Sequence, residues 1–520
     1  MIIQPENITD EQLTIDADVC IIGSGAGGAR SAAFLTEKGI NVVMLEEGPF
    51  VSQKDFNQDG RVLVPKMYRR SAGLATDDMS MRILQGRVFG GSTTINWMTS
   101  LRTPDFVLDQ WERQFGLSDY SVDNMKKHFD AVEKRLNVHQ IPETDHSLQN
   151  RIIKDGASKL GIDWFSSNNN SKDCIGCGTC GLGCPYNAKQ DMRMTYLRDA
   201  LHKDLTVYTS TRAETIKYYS KDSQIVKAVV GNNKGKVLKI TAKRVIVSAS
   251  AIYTPLVLQK SGFTKGGLVG KFLHVHPVTG SFAKYDHEIY PTYGTPQTVV
   301  SKEYHDLDGN GYGFWLEVPD LEPFLMAVNF PGIGIERRNS LKEMQQYGVI
   351  IILVRDGANN KSETSNGSVR WRRGMNMQNG SFNIKPVPSI RYKLSKQDKE
   401  HLMKGLHNSI EVHFAAGANS AFTLHSEGKV LTNVKMADQI FSWANGPNQM
   451  SLFSAHPTGT ARMGPDPKKS VVDPTGQMHH YPGIYVLDGS ILPTAPGVNP
   501  MISILGSVSN ALELGGVGLS

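Results

Sequence analysis

The chain has 520 residues, with 56 Lys and Arg against 50 Asp and Glu, for a formal net charge of +6. Over this length that excess is too small to make nucleic acid or an anionic membrane the main partner. Hydrophobic residues at 40%, charged residues at 20%, 50 Gly and 24 Pro exclude disorder, collagen and coiled coil, and leave a turn-rich globular protein long enough for two or more domains.

Met1 to Asp18 is polar and acidic, without the basic start and apolar stretch of an export signal. No apolar run approaches the roughly 18 residues that span a bilayer; Val349 to Val354, the longest, is strand-sized. The expectation is a cytoplasmic protein with no membrane span.

Asp18 to Ile22 is a short apolar run followed by Gly23-Ser24-Gly25-Ala26-Gly27-Gly28, a helical stretch ending near Gly39, and a second apolar run, Val42 to Leu45. This is a βαβ unit for a dinucleotide. Gly23 permits the tight turn, Gly25 lets the backbone approach a pyrophosphate, and Gly28 lets the helix pack on the strand, so that the helix N-terminus faces the phosphates. Glu46 closes the second strand at the distance where a carboxylate accepts hydrogen bonds from ribose hydroxyls, which predicts a dinucleotide lacking a 2′-phosphate. This fingerprint does not separate FAD from NAD.

A second glycine-rich segment runs from Gln85 to Asn96. Its small residues Gly90, Gly91 and Ser92, with Arg87 and Asn96 nearby, suit a pyrophosphate and the edge of a flavin ring. Cys174, Cys177, Cys180 and Cys184 then fall within eleven residues in the pattern C-x2-C-x2-C-x3-C-P, the spacing that ligates iron–sulfur clusters in ferredoxins. Gly176, Gly178, Gly181 and Gly183 supply the turns that such a wrap requires. Four thiolates would complete a [4Fe–4S] cluster and three would suit [3Fe–4S]; zinc, free thiols and a structural disulfide are the alternatives. The fifth cysteine, Cys20, lies inside the first strand and is expected to be a buried small apolar residue.

Further on come the strand Leu205 to Tyr208, a strand and turn at Val245 to Ser248 leading into Ser250 to Pro255, and Ser261-Gly262. The C-terminal part carries Ala455-His456-Pro457-Thr458-Gly459-Thr460-Ala461-Arg462-Met463-Gly464, then Tyr485 to Ser490 around Asp488, then Val498-Asn499-Pro500. Taken in this order, the motifs resemble the glucose-methanol-choline (GMC) oxidoreductases, FAD enzymes acting mostly on alcohols and sugars.

The resemblance implies that His456 is the active-site histidine and Asn499 its partner, that Asp488 lies near the flavin pyrophosphate, and that Ala213 lies near the adenine. Relatives that attach FAD covalently use a histidine where this chain has Ile95, so noncovalent FAD is implied. The implied fold is α/β, with a Rossmann-like FAD-binding domain from residues 1–105, 190–275 and 450–520. It is interleaved with a substrate domain built on an antiparallel sheet from 106–170 and 276–449, and the cysteine loop occupies 171–189.

The chemistry expected of the pair is loss of a hydroxyl proton to His456 while Asn499 holds the oxygen, with hydride transfer to flavin N5. His276, in Leu273-His274-Val275-His276-Pro277, is expected to be structural. Some members of the family with a cysteine cluster in this part of the chain pass electrons through it, which implies here a dehydrogenase that hands electrons to an acceptor protein or quinone-linked partner. An oxygen-reducing oxidase with structural cysteines, and a flavin electron-transfer subunit without turnover, are the other functions that the sequence allows. It leaves open whether the substrate is a sugar, a long-chain or isoprenoid alcohol, a sterol or a polyol.

Overall fold

A computed structural model describes residues 1–231, 236–330, 332–357, 366–378, 381–427 and 429–518. The first apolar run is the end of a longer strand, β1 (Gln12–Ile22), followed by α1 (Ala26–Glu37) and β2 (Val42–Leu45). α1 is dense in small residues on its buried side, and Gly39, with φ +74°, stops it. Later in the chain β3 (Thr206–Tyr208), β4 (Thr211–Ser220), β5 (Ser223–Val230) and β6 (Val237–Val247) join the same sheet, and α2 (Ser250–Lys260) follows. The strand order is Ile2–Ile3, β3, β2, β1, β6, β5, β4, with Ile484–Val486 parallel to the end of β6. The first five of these are parallel to one another, whereas β4, β5 and β6 form an antiparallel meander.

This topology places the ligand end. Ile22, Leu45, Val247 and Val486 terminate four neighbouring parallel strands, and the residues that follow them include Gly23, Glu46, Ser248 and Asp488. Ligands of open α/β sheets bind outside these carboxyl ends. Cys20 is fully buried within β1, as expected.

A second sheet contains β7 (Val278–Lys284), β8 (Val299–Ser301), β9 (Phe314–Glu317), β10 (Tyr347–Val354) and β11 (Ser420–Thr423), covered by α3 (Lys396–Ala415). Its order is Val430–Leu431, β11, β7, β10, β9, β8, Phe165–Ser166, and every one of these pairings is antiparallel. On β10, Ile350, Ile352 and Val354 pack under α3 against Leu402, Leu406 and Ile410, while Val349, Ile351 and Leu353 pack with Val278 and Phe282 on the other face. Burial on both faces is why this strand reads as an unbroken apolar run.

The chain crosses to this sheet at two short strands, Met81–Ile83 and Leu452–Ser454, which pair with each other; Phe453 pairs with Val278 of β7. His456 hangs from the end of the second of these. The C-terminal helix α4 (Met501–Gly515), apolar nearly all round, starts directly after Asn499-Pro500 and is buried against the first sheet's core. Among the described residues no helix is long and apolar enough to cross a membrane.

Candidate active site

One cavity of about 1680 Å³ runs from the glycine turn after β1 to the inner face of the second sheet. At the first end the walls are backbone. A Cβ on Gly23 (φ +102°) would stand 2.3 Å from the Ser248 carbonyl oxygen, and one on Gly28 would stand 2.0 Å from that of Gly23. The tightest approach is at Gly27, where a Cβ would lie 1.8 Å from the Leu487 oxygen. Gly25 differs: a Cβ there would meet nothing within 4 Å, because its backbone faces the cavity. Gly91 closes over it from the second glycine segment, with Gly90 (φ +92°) donating its N–H to Ser24 Oγ at 2.9 Å.

The carboxylates at this end are heavily engaged. Glu46 accepts from Ser24 N at 3.0 Å, from Ser24 Oγ at 2.5 Å and from Gly48 N at 2.6 Å, so it first of all fastens the glycine turn. Its remaining lone pairs are what a ribose could use. Asp488 ties three elements together, accepting from Ser250 N at 2.8 Å, Thr254 Oγ1 at 2.6 Å and Ser490 N at 2.8 Å. Burial pushes both carboxyls above their ordinary range even though these bonds oppose it. Arg87 lies 3.5 Å from Glu47, which Arg69 also holds at 2.7 Å. Ser92, Asn96 and Ala213 line the same cavity, as does Ile95.

The other end is built from side chains. His456 and Asn499 both line the cavity, and buried Oδ1 of Asn499 has no protein partner. His276, fully buried, lies behind His456 with the two Nδ1 atoms 3.4 Å apart, and accepts the Gly497 N–H on Nε2 at 3.0 Å. The residue expected to be structural therefore lies directly against the candidate catalytic histidine. Burial lowers both histidines, His276 to about 4 and His456 well below its ordinary value, so both are neutral at pH 7. Asp356 anchors this corner by accepting the backbone N–H groups of Val275 at 3.1 Å and His276 at 3.0 Å.

Three further polar residues, which no sequence motif marks, complete this end. Glu317 lies at the C-terminal end of β9; its Oε2 accepts from Gln297 Nε2 at 2.5 Å, Gln297 accepts in turn from the Thr99 hydroxyl, and all three line the cavity. Val278, Ile351, Leu353 and Phe453 form the apolar wall beside them.

Models of the GMC oxidoreductase family match residues 64–278 and 364–507, together more than half of the sequence. The chain belongs to the GMC oxidoreductase family. Among relatives, a long-chain-alcohol oxidase of Arabidopsis thaliana is 28% identical over 519 residues, covering 94% of this chain and 65% of that protein. The chain thus spans just under two-thirds of that plant relative's length. A cholesterol oxidase of Mycobacterium tuberculosis is 25% identical, with 96% of this chain and 91% of that protein covered. Of solved structures, pyridoxine 4-oxidase from Mesorbium loti superposes with a TM-score of 0.70 at 17% identity, over 96% of this chain and 99% of that one, which shows the shared fold.

FAD is the cofactor of this GMC oxidoreductase, and the cavity fits it. The backbone at Gly25 is bare toward the cavity, and buried acceptors of Gln85, Asn96 and Asn499 are left without protein partners along it. Such orphaned buried groups carry a penalty unless a ligand or water completes them.

The cysteine loop abuts this cavity from outside. Gly176, Gly178 and Gly183 have positive φ as the spacing requires, whereas Gly181 does not. Cys174 is exposed, Cys177 half-buried, and Cys180 and Cys184 buried. Among the described residues no three His, Cys, Asp or Glu side chains are gathered closely enough to hold a metal ion, so the four thiols have the donor chemistry of a metal centre without its arrangement. The loop is instead pinned by Lys189, fully buried, whose ammonium donates to the carbonyls of Thr94 at 2.7 Å, Asn96 at 2.9 Å and Cys180 at 2.8 Å.

Proposed function

We propose that this chain oxidises the CH–OH group of an extended apolar alcohol, and the observation that carries this is the placement of His456 and Asn499 opposite an apolar wall in one cavity with the dinucleotide cradle. When bound, FAD supplies the acceptor for the hydride and its electron pair. Gly23, Gly25, Gly28, Arg87, Gly90, Gly91 and Ser92 would hold its pyrophosphate, with Asp488 near it, Glu46 its ribose, Ala213 its adenine side, and Asn96 and Asn499 the remainder. His456 and Asn499 hold the alcohol oxygen, and burial keeps the histidine neutral so that it meets a neutral hydroxyl without a competing counter-ion. Val278, Ile351, Leu353 and Phe453 exclude water and take the carbon chain; a sugar would leave its hydroxyls facing them unpaired. The names of the plant and mycobacterial relatives agree with an apolar alcohol.

The test is anaerobic flavin reduction by long-chain primary alcohols and sterols, with glucose as the comparison. Apolar alcohols should reduce the flavin and glucose should not. His456→Ala, with FAD retained, should slow reduction by about 10²-fold or more; unchanged reduction would remove His456 from the chemistry.

A second reading adds an iron–sulfur cluster on Cys174, Cys177, Cys180 and Cys184 that passes electrons to an acceptor protein or quinone-linked partner, making the enzyme a dehydrogenase. The spacing of the cysteines favours it. Iron, sulfide and zinc quantified on anaerobically purified protein decide the matter: near-equal iron and sulfide support the cluster, and their absence leaves an oxidase reducing oxygen.

A further inference from the structure

Lys189 pins the cysteine loop, and its charge has no carboxylate to answer it. The side chain is fully buried, and its Nζ donates to the carbonyl oxygens of Thr94 at 2.7 Å, Asn96 at 2.9 Å and Cys180 at 2.8 Å. A neutral amine has only two N–H groups, so three accepting carbonyls make this group an ammonium. Among the described residues no carboxylate lies within ion-pairing distance of it. Buried Asp191, two residues on, is matched instead by Arg193, whose Nη2 stands 2.6 Å from Oδ2.

That charge stands directly behind the cavity wall. Thr93, Ile95 and Asn96 line the cavity, so the carbonyls of Thr94 and Asn96 that Lys189 holds belong to the turn that forms the wall. Asn96 marks the place along it. Its Nδ2 donates to Met501 Sδ at 3.3 Å, two residues past Asn499, and its buried Oδ1 has no protein partner. Asn96 thus stands at the join between the glycine cradle and the corner of His456 and Asn499. An isoalloxazine has to lie at that join if its pyrophosphate is at Gly25 and its reacting edge meets the substrate.

We propose that Lys189 is a positioning residue whose buried charge raises the reduction potential of bound FAD. Hydride addition brings two electrons and one proton to the neutral oxidised ring, which therefore gains one negative charge. A fixed cation behind the wall, shielded from water, stabilises that charged product more than the neutral ring. The assignment rests on FAD occupying the cavity, and not on which alcohol reduces it. A lysine that served structure alone would behave differently. Loosening the turn would weaken binding of both redox forms alike and leave the potential where it was, because an equilibrium shifts only with differential affinity.

The test is the midpoint potential of bound FAD, measured anaerobically against reference dyes in wild type, Lys189→Met, Lys189→Gln and Lys189→Arg. Both neutral variants should lower it: at a given potential the ratio of reduced to oxidised flavin should fall about tenfold or more, roughly 30 mV for a two-electron couple. Lys189→Arg keeps the charge and should stay closer to wild type than either. Sulfite, which adds to the oxidised ring and leaves a negative charge on it, should bind the neutral variants about tenfold more weakly. If neither neutral variant loads flavin, wild type alone carries the test: its reduced flavin should remain anionic, by absorption, at pH values where free reduced FAD takes up a proton. A flavin-loaded neutral variant with the wild-type potential, or a reduced wild-type flavin that protonates as free FAD does, overturns the assignment. Because dyes supply the electrons, either result leaves the alcohol-oxidation reading to its own test.

Discussion

The two ends of the cavity are made of different material. At the dinucleotide end the chain brings backbone against backbone: Gly23, Gly27 and Gly28 sit where a side chain would strike the carbonyls of Ser248, Leu487 and Gly23. At the substrate end the surfaces are side chains delivered by strand register from β7, β9 and β10, together with Thr99, Gln297, His456 and Asn499. The first kind of site depends on what is absent from a position, and the second on which residues happen to meet. They should therefore fail differently when perturbed.

The largest effect is expected at Gly27. A Cβ 1.8 Å from the Leu487 oxygen cannot be accommodated by rotating a side chain, because both partners are backbone, and it would force α1 off the strand end that carries Asp488. Gly27→Ala should yield little folded, flavin-loaded protein. Gly25→Ala offers the contrast, since its Cβ would enter open cavity. It should fold with a near-normal melting temperature in the absence of flavin but bind FAD weakly, as read by the flavin-to-protein ratio after gel filtration. Equal behaviour of the two variants would break the distinction between a glycine that packs and a glycine that admits a ligand.

That distinction also explains what the sequence disclosed. The βαβ unit and the glycine segments are legible because backbone geometry restricts residue type at fixed spacings, whereas Asp488, His456 and Asn499 were legible only through the family resemblance. Gly27 is the exception, lying between fingerprint glycines yet packing against a strand more than 400 residues away. The antiparallel sheet was legible only through family resemblance, since β10 is buried on both faces and carries no alternation. Glu317, Gln297 and Thr99 were invisible: they belong to no motif and converge only through register. His276 was visible, but nothing in Leu273 to Pro277 tells which histidine it will face.

Lys189 belongs to neither kind of wall and joins the cysteine loop to the segment that carries Asn96. Its ammonium, whose pKa is lowered by burial, donates to three carbonyls. Lys189→Met keeps the length of the side chain and removes all three donors, which should cost about 3 kcal/mol of stability. The same change should speed reaction of buried Cys180 with a thiol reagent. A stable variant with unreactive Cys180 would mean that the loop is held by its own packing, and that it is independent of the flavin side.

The smallest effect concerns stability and lies at the buried carboxyl of Glu317. Its carboxyl stands at about 7 in the folded protein against an ordinary value of 4.5, so the folded state binds the proton more tightly than the unfolded one. The stability this proton confers is complete below pH 4.5 and is lost as pH rises to 7, where the buried group must ionise. Glu317→Gln carries no such dependence. The variant and wild type should therefore melt together near pH 5, and by pH 8 the variant should be the more stable by up to about 3 kcal/mol. Differential scanning calorimetry of flavin-loaded protein at the two pH values measures the difference. A constant gap between the curves would mean that water in the cavity keeps the carboxylate solvated, placing its ionisation well below neutrality, and the substrate end would then be wetter than its apolar wall suggests.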